Sequence, residues 1–379
     1  MNLISWSLLL LFIFSLQAVQ AQEANYEESE VPDYTLPEIL KTIDGNTVES
    51  IREWKFNRRP EIIELFQKHV YGEVPQQFDS IEFKTASENK DAMGGTATAR
   101  QIDIIVHRNG SSLTIGLNLL IPNQVEKPAP VTLLINHRGA DNMDITRENK
   151  EDFWPAEYII DRGYAAAVFD VEDVADDNAK TFAEDVIQKL YPEQLKKPDG
   201  MRGLSAWAWG AMRVMDYLAR EPNIDQQRSI VIGHSRGGKA ALWTGAQDER
   251  WAVTISNESG AGGAALSRRK FGETVQRINN SFPYWFTPNF DNYNDNESDL
   301  PVDQHMLIAS MAPRAVYVAS AEEDQWADPR GSTCLCITDL WFTKRSSIFR
   351  FHLRKRCRKS IRPSTPHILA IISGMENTT

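Results

Sequence analysis

The chain has 379 residues, of which 42% are hydrophobic and 25% are charged, and its formal net charge is −11. This composition excludes a small disulfide-stapled scaffold and a fully disordered chain, and the length allows a sizeable core in one large domain or two. So acidic a molecule has no electrostatic reason to bind nucleic acid or an anionic membrane, and we expect neither as a partner.

The charge changes abruptly near the carboxyl end. Residues 1–330 carry 32 basic and 50 acidic side chains, whereas residues 331–379 carry nine basic and two acidic ones. All three cysteines, Cys334, Cys336 and Cys357, also lie in this last stretch. Two different compositions therefore share one chain.

The amino end has the pattern of a targeting segment. Residues 4–16 are almost unbroken apolar sequence, too short to cross a bilayer of about 30 Å as a helix. The small residues Val19 and Ala21 follow, and then an acidic stretch begins. Residues 1–21 are therefore predicted to be a secretory signal peptide of a secreted or periplasmic protein with no stable membrane span. A buried N-terminal helix is the alternative interpretation.

Residues 22–100 are predicted to contain a polar linker, one helix and the first strands. The linker covers residues 23–37, and apolar residues at spacings of three and four predict a helix over 49–73, interrupted by Pro60. Apolar residues then alternate with a period of two, which predicts strands within 100–106 and 113–121.

Residues 101–330 are predicted to form an α/β-hydrolase-like three-layer sandwich around a mostly parallel sheet. Continuous apolar runs are typical of parallel strands that are buried on both faces, and helical segments alternate with them. The predicted strands are 131–135, 164–169, 229–232, 252–255 and 315–319, and the helices are 158–162, 204–220 and 239–247. After residue 319 the alternation stops.

Ser235 is the candidate nucleophile. It lies in Gly233-His-Ser-Arg-Gly237, between a predicted strand and a predicted helix. This is the G-x-S-x-G pattern in the strand–turn–helix context of a nucleophile elbow, where a strained turn exposes the serine at a helix N-terminus. An ordinary glycine-rich turn is the alternative.

Two carboxylates are candidates for the acid that orients a catalytic base. Glu258 follows the predicted strand 252–255, and Asp324 follows the strand 315–319. The carboxyl ends of parallel strands are where α/β folds assemble their sites, and the acid follows the serine in this fold. A solvated loop carboxylate is the alternative for each.

Several segments together resemble the glucuronoyl esterases of carbohydrate esterase family 15. The segments are Gly233-His-Ser-Arg-Gly-Gly-Lys239, Asn257-Glu-Ser-Gly260, Gly272-Glu-Thr274, Asn280-Ser-Phe-Pro-Tyr-Trp-Phe286 and Ala321-Glu-Glu-Asp-Gln-Trp-Ala-Asp-Pro329. The resemblance covers roughly residues 40–330. It implies an α/β-hydrolase that cleaves esters between glucuronic acid on xylan and lignin alcohols, without a metal or other cofactor.

The resemblance also implies roles for individual residues. Ser235 would be the nucleophile and Arg236 would add its side chain to the oxyanion hole. Glu258 would be the acid, with Asp324 at an alternative acid position. The residues implied to hold the sugar are Lys239, Glu273 and Trp326. Lys239 lies one helical turn after Ser235, so both are expected on the same side of the helix.

The catalytic histidine of the family is not identified in this chain. The family places it in a Gly-Tyr-His or Gly-x-His-Asp loop beyond the last strands, and His352 and His367 stand in the basic tail without such a setting. Because the change of composition begins just after Asp328-Pro-Arg-Gly331, we expect a reading-frame shift or mispredicted exon in residues 331–379. Such a change would leave the sheet incomplete at its carboxyl end. A divergent natural tail is the alternative.

The sequence thus leaves three functions open. The first is a serine esterase for glucuronate esters, whose activity in this chain is in question without a histidine. The second is a non-catalytic relative that retains a carbohydrate pocket, and the third is an acetyl-xylan-type esterase. No zinc spacing, phosphate-binding loop or dinucleotide fingerprint is present in the sequence, so we predict neither cofactor nor metal.

Overall fold

A computed structural model describes residues 24–125 and 128–333, together with the backbone of 337–340 and 351–353. The predicted signal peptide, residues 1–21, lies outside the described residues. So does most of the basic tail, 331–379, including the side chains of all three cysteines.

A single eight-stranded sheet forms the centre of the described chain, with the strand order β1-β2-β3-β5-β4-β6-β7-β8. The first three strands pair antiparallel, β3 also pairs antiparallel with β5, and the remaining neighbours are parallel. The strands are β1 (Ser80–Asp91), β2 (Ala97–Arg108), β3 (Ser111–Pro122), β4 (Ala129–Asn136), β5 (Ala165–Asp170), β6 (Ile224–His234), β7 (Val253–Asn257) and β8 (Ala315–Ala319). A separate antiparallel pair is formed by β9 (Ile337–Leu340) and β10 (Phe351–Leu353).

Helices cover both faces of the sheet, which gives the predicted three-layer α/β sandwich. Alternate residues of β4 enter two different apolar clusters: Leu133 lies with Trp207 and Trp243 on one face, and Leu134 lies with Trp154 on the other. The helices are α1 (Ile51–Glu53), α2 (Arg59–Phe66), α3 (Ala92–Gly95), α4 (Ala156–Asp161), α5 (Gly203–Leu218), α6 (Arg236–Gln247), α7 (Val275–Ser281), α8 (Gln304–Ser310) and α9 (Pro329–Thr333). Shorter 3₁₀ and π-helical turns connect them.

The predicted strands and helices between residues 131 and 319 are confirmed. Residues 131–135 lie within β4, 229–232 lie within β6, and the prediction for 315–319 coincides with β8. β5 is buried along its whole length, as expected of a parallel strand covered on both faces. The continuous apolar runs were therefore a reliable indicator of the sheet.

The first predicted helix extends from Ile51 to Tyr71 as alternating α and π-helical turns. Pro60 does not end it: a π-helical turn (Trp54–Arg58) runs directly into α2, and Arg58 and Arg59 keep helical backbone angles just before the proline. This helical segment packs into the same core as α5 and α6 through Ile62 and Phe66. No helix in the described ranges is long and apolar enough to cross a membrane.

The polar segment expected as a linker is held against the domain in its first part. We call residues 25–31 the N-terminal arm. Glu28 forms ion pairs with Arg269 (2.7 Å) and Arg330 (3.1 Å), and the Gly272 N–H donates to the Asn25 carbonyl (2.8 Å). The arm therefore has a fixed position beside the loop that precedes α7.

Candidate active site

Ser235 stands on a sharp turn between β6 and α6, as the elbow pattern predicts. Its φ and ψ angles are 51° and −121°, a backbone conformation that costs energy for any residue with a side chain. The turn is held by a hydrogen bond from the Ser235 N–H to the Asn257 carbonyl (2.8 Å) on the neighbouring β7. The serine side chain is half-buried, so part of it remains accessible to solvent. It lies at the amino end of α6, which is the positive end of the helix dipole.

The glycines around Ser235 are required by close backbone contacts. A Cβ atom at Gly233 would lie 2.0 Å from the Gly237 carbonyl oxygen, and one at Gly237 would lie 3.0 Å from the Ile135 carbonyl oxygen. Real side chains do not tolerate the first distance, so β6 and α6 can approach only with glycine at 233. The G-x-S-x-G spacing is thus explained by packing at this elbow.

Arg236 is held beside the serine by an acidic residue that the sequence analysis did not single out. Its guanidinium pairs with the Asp177 carboxylate through Oδ2. The other oxygen of Asp177 accepts hydrogen bonds from the Tyr284 hydroxyl (2.7 Å) and the Trp285 indole N–H (2.8 Å). The guanidinium also lies over the Trp285 ring, 4.7 Å from its centroid. The Asp-Asp pair at 176–177, soon after the end of a parallel strand, was the available sequence signal.

The two candidate acids lie next to each other. Glu258 directly follows β7 with a positive φ of 49°, and it accepts hydrogen bonds from the Ala321 N–H (2.6 Å) and the Ser320 hydroxyl (3.3 Å). Burial, together with a hydrogen bond and like charge from Asp324, raises the pKa of Glu258 to about 7. The carboxyl ends of β7 and β8 therefore bring the two carboxyl groups together, as the parallel sheet predicts.

Lys239 and Glu273 form a buried polar pair next to the elbow. The Lys239 ammonium donates to the Ser259 carbonyl (2.6 Å) and lies 3.4 Å from a Glu273 oxygen. Burial lowers the pKa of Lys239, an effect that the Glu273 carboxylate opposes. Both side chains are less than 10% exposed, and Lys239 follows Ser235 by one helical turn. The pair thus presents a donor and an acceptor close to the candidate nucleophile.

Trp326 lies on the protein surface, since its side chain is 42% exposed. Its carbonyl accepts a hydrogen bond from the Glu273 N–H (2.9 Å), and the Arg277 guanidinium lies 5.9 Å from the centroid of its ring. The seven predicted site residues thus lie near the carboxyl ends of the parallel strands β6, β7 and β8. Ser235, Arg236 and Lys239 lie on the first turns of α6, and the carboxylates and Trp326 lie on the loops beside them.

Three of the described histidines, His137, His234 and His305, have neighbours other than Ser235. His305 in α8 lies 2.8 Å from the Pro37 carbonyl through Nε2, and His234 lies 3.0 Å from the Asn257 amide through Nδ1. His137 packs against the elbow: its Nδ1 would lie 3.1 Å from a Cβ atom placed on Gly237. Burial and the positive charge of Arg236 lower the pKa of His137 to about 3. That value makes His137 a poor proton acceptor. The side chains of His352 and His367 lie outside the described residues.

The described acidic and histidine side chains near the elbow are not clustered as metal ligands. No group of three or more His, Cys, Asp or Glu side chains in the described ranges is arranged to hold a metal ion. The polar groups at the elbow are instead arranged as ion pairs and hydrogen bonds between protein residues.

The central sheet, the strained serine between strand and helix, and the carboxylates that follow the next two strands together indicate an α/β-hydrolase-type esterase. The family model described as "Glucuronyl esterase, fungi" matches residues 104–343. This chain belongs to the glucuronoyl esterases of carbohydrate esterase family 15.

Individual relatives agree with this family. "Carbohydrate esterase MZ0003" from an unknown prokaryotic organism is 39% identical over 82% of this chain and 78% of its own length. A glucuronoyl esterase structure from Solibacter usitatus is 38% identical with a TM-score of 0.73, covering 81% of this chain and 84% of that one. The 4-O-methyl-glucuronoyl methylesterase 1 of Phanerochaete chrysosporium is 29% identical over 79% of this chain, which spans only 60% of that relative.

Proposed function

We propose that this chain is a serine carboxylic-ester hydrolase for glucuronate esters of the type that joins glucuronoxylan to lignin alcohols. The observation that carries the proposal is that the candidate nucleophile and a buried lysine–glutamate pair lie at the same end of α6. Ser235 and Lys239 are one turn apart on α6, and Lys239 is paired with Glu273 at 3.4 Å. The name of the Phanerochaete relative, a 4-O-methyl-glucuronoyl methylesterase, supports the same substrate class.

In the proposed reaction the Ser235 oxygen attacks the ester carbonyl while a base takes its proton. The C–O bond to the alcohol then breaks, the base returns the proton to the leaving alcohol, and an acyl-enzyme remains. The Arg236 guanidinium and the amides at the start of α6 stabilise the negative charge that develops on the carbonyl oxygen. Lys239, Glu273 and Trp326 bind the hydroxyl groups and apolar face of the sugar. Water then attacks the acyl-enzyme and releases the glucuronate.

Glu258 is proposed as the acid that orients the base, with Asp324 as its alternative. The adjacency of the two carboxyl groups and the raised pKa of Glu258, about 7, support a shared role. The base itself is unassigned, because the loop expected to carry it would follow β8 and residues 334–379 have no described side chains. We propose that a reading-frame shift or mispredicted exon near Gly331 has replaced that loop. Reading the locus in all three frames tests this, and a continuous natural frame to Thr379 that gives a stable product would refute it.

A second candidate function is carbohydrate binding without turnover. The observation that favours it concerns the described histidines. The structure shows none of them in position to act as a base for Ser235. The buried Lys239–Glu273 pair does not depend on a histidine, so it could retain a sugar after catalysis is lost. An acetyl-xylan-type esterase is a third candidate, and turnover of acetylated xylan in preference to glucuronate esters would select it.

Release of benzyl alcohol from benzyl glucuronate separates these functions. The esterase is expected to release alcohol, and Ser235→Ala is expected to abolish release while Ser87→Ala, an exposed serine on β1, leaves it unchanged. Binding of glucuronate without any alcohol release would support the second function. Retained turnover in Ser235→Ala would refute the assignment of the nucleophile.

We also propose that the protein is exported, with residues 1–21 removed. The support is the apolar segment at 4–16 and the small residues that follow it. Amino-terminal sequencing of the protein from its natural host tests this, with a mature start near Gln22 expected. A cytosolic protein that retains Met1 would refute export.

A further inference from the structure

Two of the proposed sugar contacts lie on loops that are distant in the sequence but touch in the fold. The first loop, residues 267–274, carries Glu273, and the second loop, residues 324–328, carries Trp326. The Glu273 N–H donates to the Trp326 carbonyl (2.9 Å). A Cβ atom at Gly272 would lie 2.5 Å from the same carbonyl oxygen, so the two backbones meet there without room for a side chain.

Arg269 connects the same two loops at a second point. It lies four residues before Glu273, and its partner Asp328 lies two residues after Trp326. The Arg269 guanidinium binds both oxygens of the Asp328 carboxylate, through Nε at 2.8 Å and Nη2 at 3.3 Å. This two-point contact is one that arginine makes and lysine does not. The ion pair and the backbone hydrogen bond together fix the position of one loop relative to the other.

The pair between Arg269 and Asp328 is enclosed by the chain. The two residues are 5% and 2% exposed. A Cβ atom at Gly331 would lie 2.0 Å from Asp328 Oδ2 and 2.9 Å from Arg269 Nε, so backbone covers the pair on that side. Arg269 Nη2 also binds Glu28 of the N-terminal arm (2.7 Å). Loss of either member of such a pair leaves the other buried without its counter-charge, which disturbs the structure around it.

The residues on either side of Arg269 bind elsewhere. Arg268 pairs with Asp303 (3.2 Å), and Lys270 pairs with Glu297 (2.8 Å). Neither of these partners belongs to the second loop. Three consecutive cations therefore anchor the first loop, and of these three it is Arg269 that joins it to the second loop.

We propose that Arg269, through its pair with Asp328, holds the two loops in the arrangement that binds a glucuronate. The inference rests on the proposed function, which assigns Glu273 and Trp326 to the sugar. Because Arg269 is buried, it is a positioning residue that acts through the loops rather than on the substrate. A displaced first loop would also move the Glu273 carboxylate away from the Lys239 ammonium, which lies 3.4 Å from it.

Equilibrium binding of methyl glucuronate to the full chain tests this role without requiring turnover. All proteins carry Ser235→Ala. Arg269→Lys keeps the positive charge but loses the two-point contact. Asp328→Asn loses the counter-charge but keeps a side-chain oxygen that can accept the Gly331 N–H, as Asp328 does (2.9 Å). The free energy of unfolding is measured for each variant, so that a loss of binding can be separated from a loss of structure.

The matched control is Arg58→Lys on the first helical segment. Arg58 is 3% exposed and pairs with Glu61, so it is a buried and partnered arginine like Arg269. The neighbouring Arg59 donates to the Ala246 carbonyl (2.8 Å) in the last turn of α6. The control therefore lies near the end of α6 that is opposite to the elbow.

Arg269→Lys and Asp328→Asn are each expected to raise the Kd for methyl glucuronate about three- to tenfold, and the double variant no further than the weaker-binding single variant. Arg58→Lys is expected to lower the free energy of unfolding and to leave the Kd unchanged. An unchanged Kd in Arg269→Lys, or an equal rise in Arg58→Lys, would overturn this inference alone. A parent chain that binds no methyl glucuronate would overturn the proposed sugar site and this inference together.

Discussion

Asp177 forms an ion pair with Arg236, the residue after the candidate nucleophile. The same carboxylate accepts hydrogen bonds from Tyr284 and Trp285. One acidic side chain therefore orients the cation next to the candidate nucleophile and connects it to the aromatic segment 282–286. A guanidinium fixed in this way needs little reorganisation when negative charge develops nearby, which is the condition for effective oxyanion stabilisation.

Replacing Asp177 should therefore affect both stability and catalysis. Asp177→Asn leaves Arg236 without a counter-charge and is expected to lower the free energy of unfolding by about 1–3 kcal/mol, measured by chemical denaturation. In protein that releases alcohol, kcat is expected to fall about tenfold with little change in KM, since the lost interaction acts in the transition state. Asp176→Asn is the neighbouring control, and equal effects in both variants would contradict a positioning role.

Strain at Ser235 predicts a variant that is more stable but inactive. The positive φ of 51° is tolerated by glycine and costs other residues energy. Ser235→Gly is expected to raise the free energy of unfolding by about 1 kcal/mol and to lack esterase activity. Thermal and denaturant unfolding measure the first effect. A Ser235→Gly protein less stable than Ser235→Ala would show that the turn is not strained.

The raised pKa of Glu258 predicts a pH dependence of stability. The native carboxyl titrates near 7, whereas an unfolded glutamate titrates near 4.5, so native Glu258 keeps a proton that the unfolded chain has lost. Its contribution to stability is complete below pH 4.5 and is lost as the pH rises to about 7, on the order of 3 kcal/mol in all.

Glu258→Gln should remove this part of the pH dependence, because the amide does not ionise. The free energy of unfolding at pH 5 and pH 8, compared between the two proteins, is the measurement. Glu322→Gln, an exposed carboxylate on the adjacent loop, is the control and should keep the native pH profile. An unchanged difference between pH 5 and pH 8 in Glu258→Gln would contradict the raised pKa.

The Lys239–Glu273 pair predicts a rescue by double substitution. Lys239→Met leaves the Glu273 carboxylate buried without its cation and is expected to cost about 3–5 kcal/mol of unfolding free energy. Adding Glu273→Gln removes the unpaired charge and should recover part of that loss. Additive losses in the double variant would indicate that the two side chains are not coupled.

The same lysine is expected to determine substrate preference. In active protein, Lys239→Ala should raise KM for glucuronate esters far more than for simple acetate esters, because only the former present a sugar to the ammonium. Kinetics with benzyl glucuronate and a phenyl acetate measure this. Equal increases for the two substrates would count against sugar recognition by Lys239.

The sheet could be predicted from sequence because its strands are buried on both faces and appear as apolar runs. The elbow could be predicted because its tight turn requires glycine at 233, where a side chain would collide with the backbone, and this requirement fixes a short spacing to Ser235 in the sequence. Contacts between distant segments leave no such pattern. Asp177 meets Arg236 across 59 positions, and the N-terminal arm meets Arg269 across 241.

The interpretation of residues 23–37 as a linker shows the same limit. Its acidic composition suits a solvated chain, and nothing local indicates that Glu28 has a buried arginine as partner. Pro60 gives the opposite case, since a residue that usually breaks helices lies here inside a continuous helical segment, just after a π-helical turn. Both outcomes depend on tertiary packing rather than on local propensity.

The anchoring of the N-terminal arm has a practical consequence for producing this protein. A purification tag or fusion partner placed ahead of Asn25 would emerge beside the loop that carries Trp326, next to the candidate site. If the proposed function holds, protein tagged there is expected to turn over small chromogenic esters normally and polymeric glucuronoxylan esters more slowly than protein tagged elsewhere.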